Sequence, residues 1–203
     1  MILYGAPLPA PNPRRVRIFL AEKGIALAET PVDLMARAHK SAGFLAKNSL
    51  GQVPVLELDD GTVIAETVSI CRYFEEMQPE PALFGRTAVE RALVDMWIRR
   101  VEFVVMTPVR NFWRHAHPRT ARLVAQFREF GESNRGAYGE ALGWMDGALA
   151  GRAFVAGEVF TMADIYLLTT VDFAGWIGLE MGEGLGNLRS WHGRVSGRGS
   201  SGG

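Results

Sequence analysis

The segment Gln78-Pro79-Glu80-Pro81 constrains this chain most. Two prolines in four residues, with no apolar periodicity, continue neither a helix interior nor a central strand. The sequence on its two sides follows different periods. Before it, short apolar runs of strand length alternate with helical stripes. After it, only helical stripes recur. The chain therefore reads as an α/β domain over residues 1–78, a linker over 79–86 and an all-α domain over 87–203, with the Gly/Ser-rich 196–203 as a disordered tail. A chain of 203 residues has room for two small domains.

In the first part, Met1–Tyr4 reads as a strand, and Asn12 before Pro13 fits a helix N-cap followed by proline at the first helical position. Val16, Phe19 and Leu20 make the apolar stripe of that helix, and Gly24 ends it. Residues 27–34 read as a second strand and 41–47 as a short helix. Residues 53–58 and 62–65 form a hairpin around Asp60-Gly61. Thr67 opens a helix with Ile70, Tyr73, Phe74 and Met77 on one face. The order βαβ, short helix, ββα is that of a thioredoxin-like domain, here without a Cys-x-x-Cys pair.

In the second part, Thr87-Ala88-Val89-Glu90 is a capping box, and its helix runs to an expected kink at Pro108. A glycine-rich but periodic helix covers residues 131–149. Phe160-Thr161-Met162-Ala163-Asp164-Ile165 is the best-marked helix start: Thr161 is the N-cap, Asp164 takes the capping-box role, and Phe160 with Ile165 makes a hydrophobic staple. Asn187 is expected to cap a last helix carrying Leu188, Trp191 and Val195.

Composition narrows the function. Lys+Arg and Asp+Glu are both 22, so the net charge is zero and a strongly basic nucleic-acid footprint is excluded. Cys71 is the only cysteine, which rules out an intrachain disulfide, a two-cysteine redox pair and a thiolate zinc cage. Sulfur chemistry needs either Cys71 or a borrowed thiol. The most apolar stretch, 163–179, carries Asp164 and Asp172 and reads as a buried helix, not a bilayer span. A reduced, cytoplasmic setting is the default expectation. His115 and His117 lack a nearby third ligand and read as surface loop, Cys71 reads as packing, and Tyr4 reads as core.

Four stretches, in this order and at these distances, resemble the cytosolic glutathione transferase family over nearly the whole chain: Pro11-Asn12-Pro13-Arg14-Arg15-Val16-Arg17, Asn48-Ser49-Leu50-Gly51-Gln52-Val53-Pro54-Val55-Leu56, Glu66-Thr67-Val68-Ser69-Ile70, and Phe160 to Ile165. The resemblance is to bacterial members nearest the Ser/Asn-type theta, phi and nu-like classes. It implies a thioredoxin-like N-terminal domain, an all-α C-terminal domain, a homodimer and a role in detoxification. It also implies glutathione as co-substrate. Pro54 would be cis, leaving the N–H and C=O of Val53 to pair with the cysteinyl part of glutathione. Glu66 and Thr67, where the family has Glu-Ser, would take the γ-glutamyl carboxylate at a helix N-terminus. His39, Lys40 and Gln52 would reach the glycine carboxylate. The helix carrying Arg99 to Trp113 lines the dimer cleft and electrophile pocket in the family, although an ordinary core face with snorkelling arginines explains the same pattern.

The departure is at the catalytic position, where Ala10 stands in place of Ser or Cys. Asn12 is the candidate catalytic residue: its amide could donate to the glutathione sulfur, helped by the N–H groups of Arg14 and Arg15 and by the helix dipole. The alternative is an Asn12 that only caps its helix. Two functions follow. One is a glutathione transferase that activates the thiol and conjugates it to an apolar electrophile, or reduces a disulfide or peroxide. The other is a non-catalytic glutathione-binding or scaffold protein of the same fold. No metal, nucleic acid or membrane partner is expected.

Overall fold

A computed structural model describes residues 1–202. The chain forms two compact units, Met1–Leu83 joined by the C-terminal residues from Gly199, and Phe84–Arg198. The division falls inside the expected linker. That segment is held: Leu83 and Phe84 are buried, and the Lys23 ammonium, wholly enclosed, donates to the carbonyls of Gln78 and Pro81 and pairs with Glu75.

The first unit is a four-stranded mixed sheet with helices. Its elements are β1 (Ile2–Gly5), α1 (Pro11–Lys23), β2 (Ala28–Pro31), a 3-10 turn (Ala38–Lys40), α2 (Ala42–Lys47), β3 (Val55–Glu57), β4 (Val63–Ala65) and α3 (Thr67–Met77). Strand order is β2-β1-β3-β4. β1 runs parallel to β2 and antiparallel to β3, with Tyr4 opposite Val55. β3 pairs antiparallel with β4, with Val55 opposite Ala65. The C-terminal end of β1, the N-terminal end of β3 and the C-terminal end of β4 therefore share one end of the sheet, and the chain leaves that end into α1 and α3. Ala6, Val32, Phe44, Val53 and Val55 form the cluster there, with Tyr4 and Ala10 packed on it.

The second unit consists of α4 (Ala88–Arg100), a π-helical segment (Val101–Met106), α5 (Thr107–His115), α6 (Arg128–Ala148), α7 (Met162–Trp176) and α8 (Gly186–Ser196). The Thr87/Glu90 capping box forms as expected. Pro108 does not break the helix at a simple kink. It sits in the first turn of α5, directly behind the π segment, and the wider turn spares its ring the clash with the preceding carbonyl. Met162 to Val171 are buried without interruption, so α7 is the core helix. Its capping box is present. Asp164 is fully buried and accepts from the N–H of Val155 and Thr161 and from Trp191 Nε1, the last at 2.8 Å. The bond to Trp191 joins α7 to α8.

Two end-of-chain expectations are corrected. Asn187 lies inside α8, and Asp146 of α6 caps that helix by accepting from Leu188 N at 2.8 Å, while Asn187 Nδ2 donates back to Asp146. Gly199–Gly202 form a 3-10 turn and not a loose tail: Arg14 donates to the Ser201 carbonyl at 2.7 Å, and Ser200 bonds Glu22. Small residues let this turn lie close on α1. Gly203 lies outside the described residues.

Candidate functional site

The helix-facing end of the sheet collects the sequence-predicted residues of the first unit. The peptide between Val53 and Pro54 is cis. Val53 is buried, and its N–H and C=O make no hydrogen bond among the described residues. The flanking loop is fixed from the other side: Asn48 Nδ2 donates to the Gln52 carbonyl at 3.0 Å, and Leu50 N donates to Asn48 Oδ1 at 3.1 Å. The result is an unpaired main-chain edge on a rigid support.

Antiparallel register carries that edge to its neighbour. The paired register ends with Val55 opposite Ala65, so the cis Val53-Pro54 peptide leads into β3 at the same sheet end where Glu66 and α3 follow β4. Glu66 has φ 69 and ψ 122, a region that side-chain-bearing residues rarely adopt and that costs about 1–3 kcal/mol. It occupies the N-cap position of α3. The first N–H of that helix to find a partner is Ile70, which donates to Glu66 O. The N–H groups of Thr67, Val68 and Ser69 and the Thr67 hydroxyl have none among the described residues. Three oriented donors at the positive end of a helix dipole suit a carboxylate.

His39 and Lys40 are brought to the same loop. Lys40 Nζ donates to the Leu50 carbonyl at 2.8 Å. Gly51 has φ 57, and a Cβ there would lie 2.6 Å from His39 O and 2.8 Å from Lys40 Nζ, so only glycine allows this approach. Burial, then the charges of Lys40 and Arg37, hold His39 below the usual imidazole range. It is therefore neutral at neutral pH. Its Nδ1 is enclosed and has no partner among the described residues. Gln52, next after Gly51 in the chain, is exposed.

Asn12 differs from its expected placement. α1 begins at Pro11, and Ala10 holds the N-cap position without any side-chain cap. Asn12 is therefore the second helical residue. The N–H of Arg14 is taken by Ala10 O at 3.4 Å, and Arg15 lies in the regular helical ladder, so neither is the open donor expected from the sequence. Pro11 and Pro13 have no N–H. The backbone N–H of Asn12 is the one left over at this helix start. The Asn12 side chain is also engaged, since its Oδ1 accepts from Arg15 Nη1 at 2.6 Å. The sequence points to the Arg15 N–H and not to its side chain. Its only mark there is the i, i+3 spacing from Asn12, which any helix contains.

The remaining candidates are engaged within the fold, and His115, expected in a surface loop, ends helix α5. Tyr4 donates to Glu57 at 2.7 Å and packs edge-on to Phe44, so its hydroxyl is spent within the unit. Cys71 is buried, and burial pushes its thiol far above the usual range, which leaves it inert at neutral pH. His115 faces Phe127 and Phe130, and His117 stacks by Trp113 and Trp176. No group of three metal-ligating side chains occurs among the described residues, and no described helix is long and apolar enough to cross a membrane.

Known proteins resemble this chain over both units. The glutathione S-transferase N-terminal domain family matches residues 10–77, and the glutathione S-transferase C-terminal domain family matches residues 104–198. Glutathione S-transferase 2 of Saccharomyces cerevisiae is 38% identical, over 98% of this chain and 86% of its own length. The crystal structure of Gtt2 from the same yeast superposes with a TM-score of 0.93 at 37% identity, covering 99% of this chain and 98% of that one. A glutathione S-transferase domain-containing protein from Marinobacter aquaeolei VT8 gives a TM-score of 0.92 at 35% identity, covering 99% of this chain and 100% of that one. An N-terminal sheet presenting unpaired main-chain groups beside a helix end, an all-helical second unit, and likeness along the full length lead to one assignment: this chain belongs to the glutathione S-transferase family.

Proposed function

We propose that the protein binds glutathione on its first unit, lowers the pKa of the bound thiol and adds the thiolate to an apolar electrophile. As a family member it is a glutathione transferase with glutathione as co-substrate. The residue assignments are our reading. Val53 pairs its N–H and C=O with the cysteinyl unit like an added strand. The γ-glutamyl carboxylate lies on the donors of Thr67, Val68 and Ser69, with Glu66 toward the α-amino group. Gln52, Lys40 and the neutral His39 serve the glycine carboxylate. Asn12 donates to the sulfur.

The observation that carries this is that two unsatisfied main-chain edges, Val53 and the α3 start, flank the same end of the β3–β4 pair. Ala10 removes the hydroxyl that other members place near the thiol, and Asn12 stands two residues on with donors open. The same thiolate could reduce a disulfide or peroxide, so both acceptor types belong in an activity screen. A reduced, cytoplasmic setting suits a chain whose single cysteine is buried and unbridged. A second copy of the chain is the partner we assign to the groove of about 410 Å3 lined by Phe103, Val104, Pro108 and Trp144.

Retention on immobilised glutathione tests the binding. The wild-type chain should be held and released by free glutathione, and Glu66→Ala should weaken retention. Passage of the wild-type protein through the column, with no heat of binding by titration calorimetry, would end the proposal.

A further inference from the structure

We infer that Arg15 is a positioning residue for the bound thiol, holding Asn12 so that its amide NH2 faces outward from the start of α1. The inference rests on the reading above that Asn12 meets the sulfur.

The chemistry of the pair fixes the orientation. Arg15 is 1% exposed, and its Nη1 lies 2.6 Å from Asn12. A guanidinium has five donors and no acceptor, and it stays charged in a protein. The Asn12 atom facing it must therefore be Oδ1. The other end of the planar amide, Nδ2, must then point away from Arg15. Nδ2 makes no hydrogen bond among the described residues, and neither does the Asn12 backbone N–H. One residue thus offers two donors at a helix start where both neighbours are prolines and offer none. With Oδ1 unheld, the amide could rotate and turn an acceptor toward the sulfur, which would repel a thiolate. The bond from Arg15 removes that alternative in advance, so the donor is oriented before glutathione arrives.

Arg15 acts through Asn12 in a second way. A charged donor on Oδ1 polarises the amide and strengthens Nδ2–H as a donor, as hydrogen bonds in series do in a low dielectric. Arg15 is buried, and its charge acts on the Cys71 thiol of α3 against the upward push of burial and of Glu75. Solvent screens such a charge poorly. That charge acts on Asn12 Oδ1 nearly unscreened, and through the amide on Nδ2–H.

The experiment titrates the thiol of bound glutathione by its thiolate absorbance in the wild-type protein and in Asn12→Ala, Arg15→Met, Arg15→Lys and the double variant Asn12→Ala/Arg15→Met. Asn12→Ala and Arg15→Met should each raise the thiol pKa toward that of free glutathione. kcat/KM should fall about tenfold in Arg15→Met, the effect of one charge-assisted hydrogen bond. Arg15→Lys should recover part of the loss. The double variant should be no worse than Asn12→Ala alone, because Arg15 works only through that amide. If Asn12→Ala raises the pKa and Arg15→Met does not, Arg15 is structural and the inference fails alone. If Asn12→Ala leaves the pKa unchanged, the assignment of Asn12 itself fails. A further loss in the double variant would also overturn the relay.

Arg15 is buried, and its methionine variant can fail to fold, so a wild-type measurement stands beside these. In 15N-labelled protein the Asn12 side-chain amide pair should shift on adding glutathione and not on adding S-methylglutathione, with a contact to the Arg15 Nη protons retained. A freely rotating Asn12 amide, or equal shifts with both ligands, would overturn the inference.

Discussion

Ala10 shows how one side chain changes the wiring of a helix start. A serine at this N-cap position normally accepts from the N–H of the second or third helical residue. Here the third is Pro13, which has none, so a hydroxyl at residue 10 has only the Asn12 N–H to take. Ala10→Ser should therefore stabilise the protein by about 1 kcal/mol, read as a rise in melting temperature. It should not lower the pKa of bound glutathione, because the new hydroxyl consumes a donor otherwise open to the sulfur. A marked fall in that pKa with no thermal gain would mean that the hydroxyl turns to the thiol. At this scale the sequence is legible in kind and not in direction. Asn12, Val53, Glu66 and Thr67 stand out by their motifs, and the structure gathers them at one sheet end. That Oδ1 of Asn12 is occupied, that Arg14 N–H is spent, and that Arg15 lies beneath depend on where the helix starts. A shift of one or two residues at a helix end decides such matters, and local pattern does not resolve it.

Helix ends also control the second unit. Asp164 gives one oxygen to Val155 N and Trp191 Nε1 and the other to Thr161. Burial pushes its carboxyl up, while these donors act against the shift. Asp164→Ala leaves three buried donors without an acceptor, each costing about 1–3 kcal/mol. A loss of at least about 3 kcal/mol in urea unfolding follows, with Asp164→Asn milder because one carbonyl oxygen remains. A loss below 1 kcal/mol for the alanine variant would show that the cap is not what holds α7 to α8. The Thr161–Asp164 signature was plain in the sequence, whereas the Trp191 bond was not, since 27 residues separate the partners. The cap of α8 was misplaced for the same reason: Asp146 supplies it from α6 and not from the neighbouring chain. In the first unit, the hydrogen bond from Lys47 and then that from Tyr4 pull Glu57 below the usual carboxylate range. A lowered folded-state pKa means stability that is present above the unfolded value of about 4.3 and lost as pH falls through the folded one. Glu57→Gln should therefore melt below wild type at pH 7 and converge with it under acid conditions. A constant difference across that range would exclude ionisation as the cause.

At the scale of the whole molecule, the change of period at residues 78–81 reflects a chain made of a sheet-based and a helical unit. What no local pattern supplies is the use of the outward faces. Phe103 is 66% exposed, Val104 41% and Trp144 40%, and all three line the same groove of the second unit. Scattered exposed apolar residues need no explanation, but three that share one concave surface mark an interaction site. Net charge of zero places no repulsion between copies. A stable interface between proteins covers about 1,600 Å2 in total, and large apolar side chains near its centre carry most of the binding energy. A second copy seated on this groove would desolvate Phe103, so Phe103→Glu would place an unpaired charge at the contact, a cost of several kcal/mol. In the isolated chain the same change is made at an exposed position and should leave folding intact. Light scattering coupled to size exclusion should then give a mass about twice 22.3 kDa for wild type and the single-chain mass for Phe103→Glu, with unchanged circular dichroism. A wild-type chain that elutes at 22.3 kDa at tens of micromolar, or a variant that keeps the doubled mass, would remove the groove as a self-association surface and leave its apolar residues to another partner.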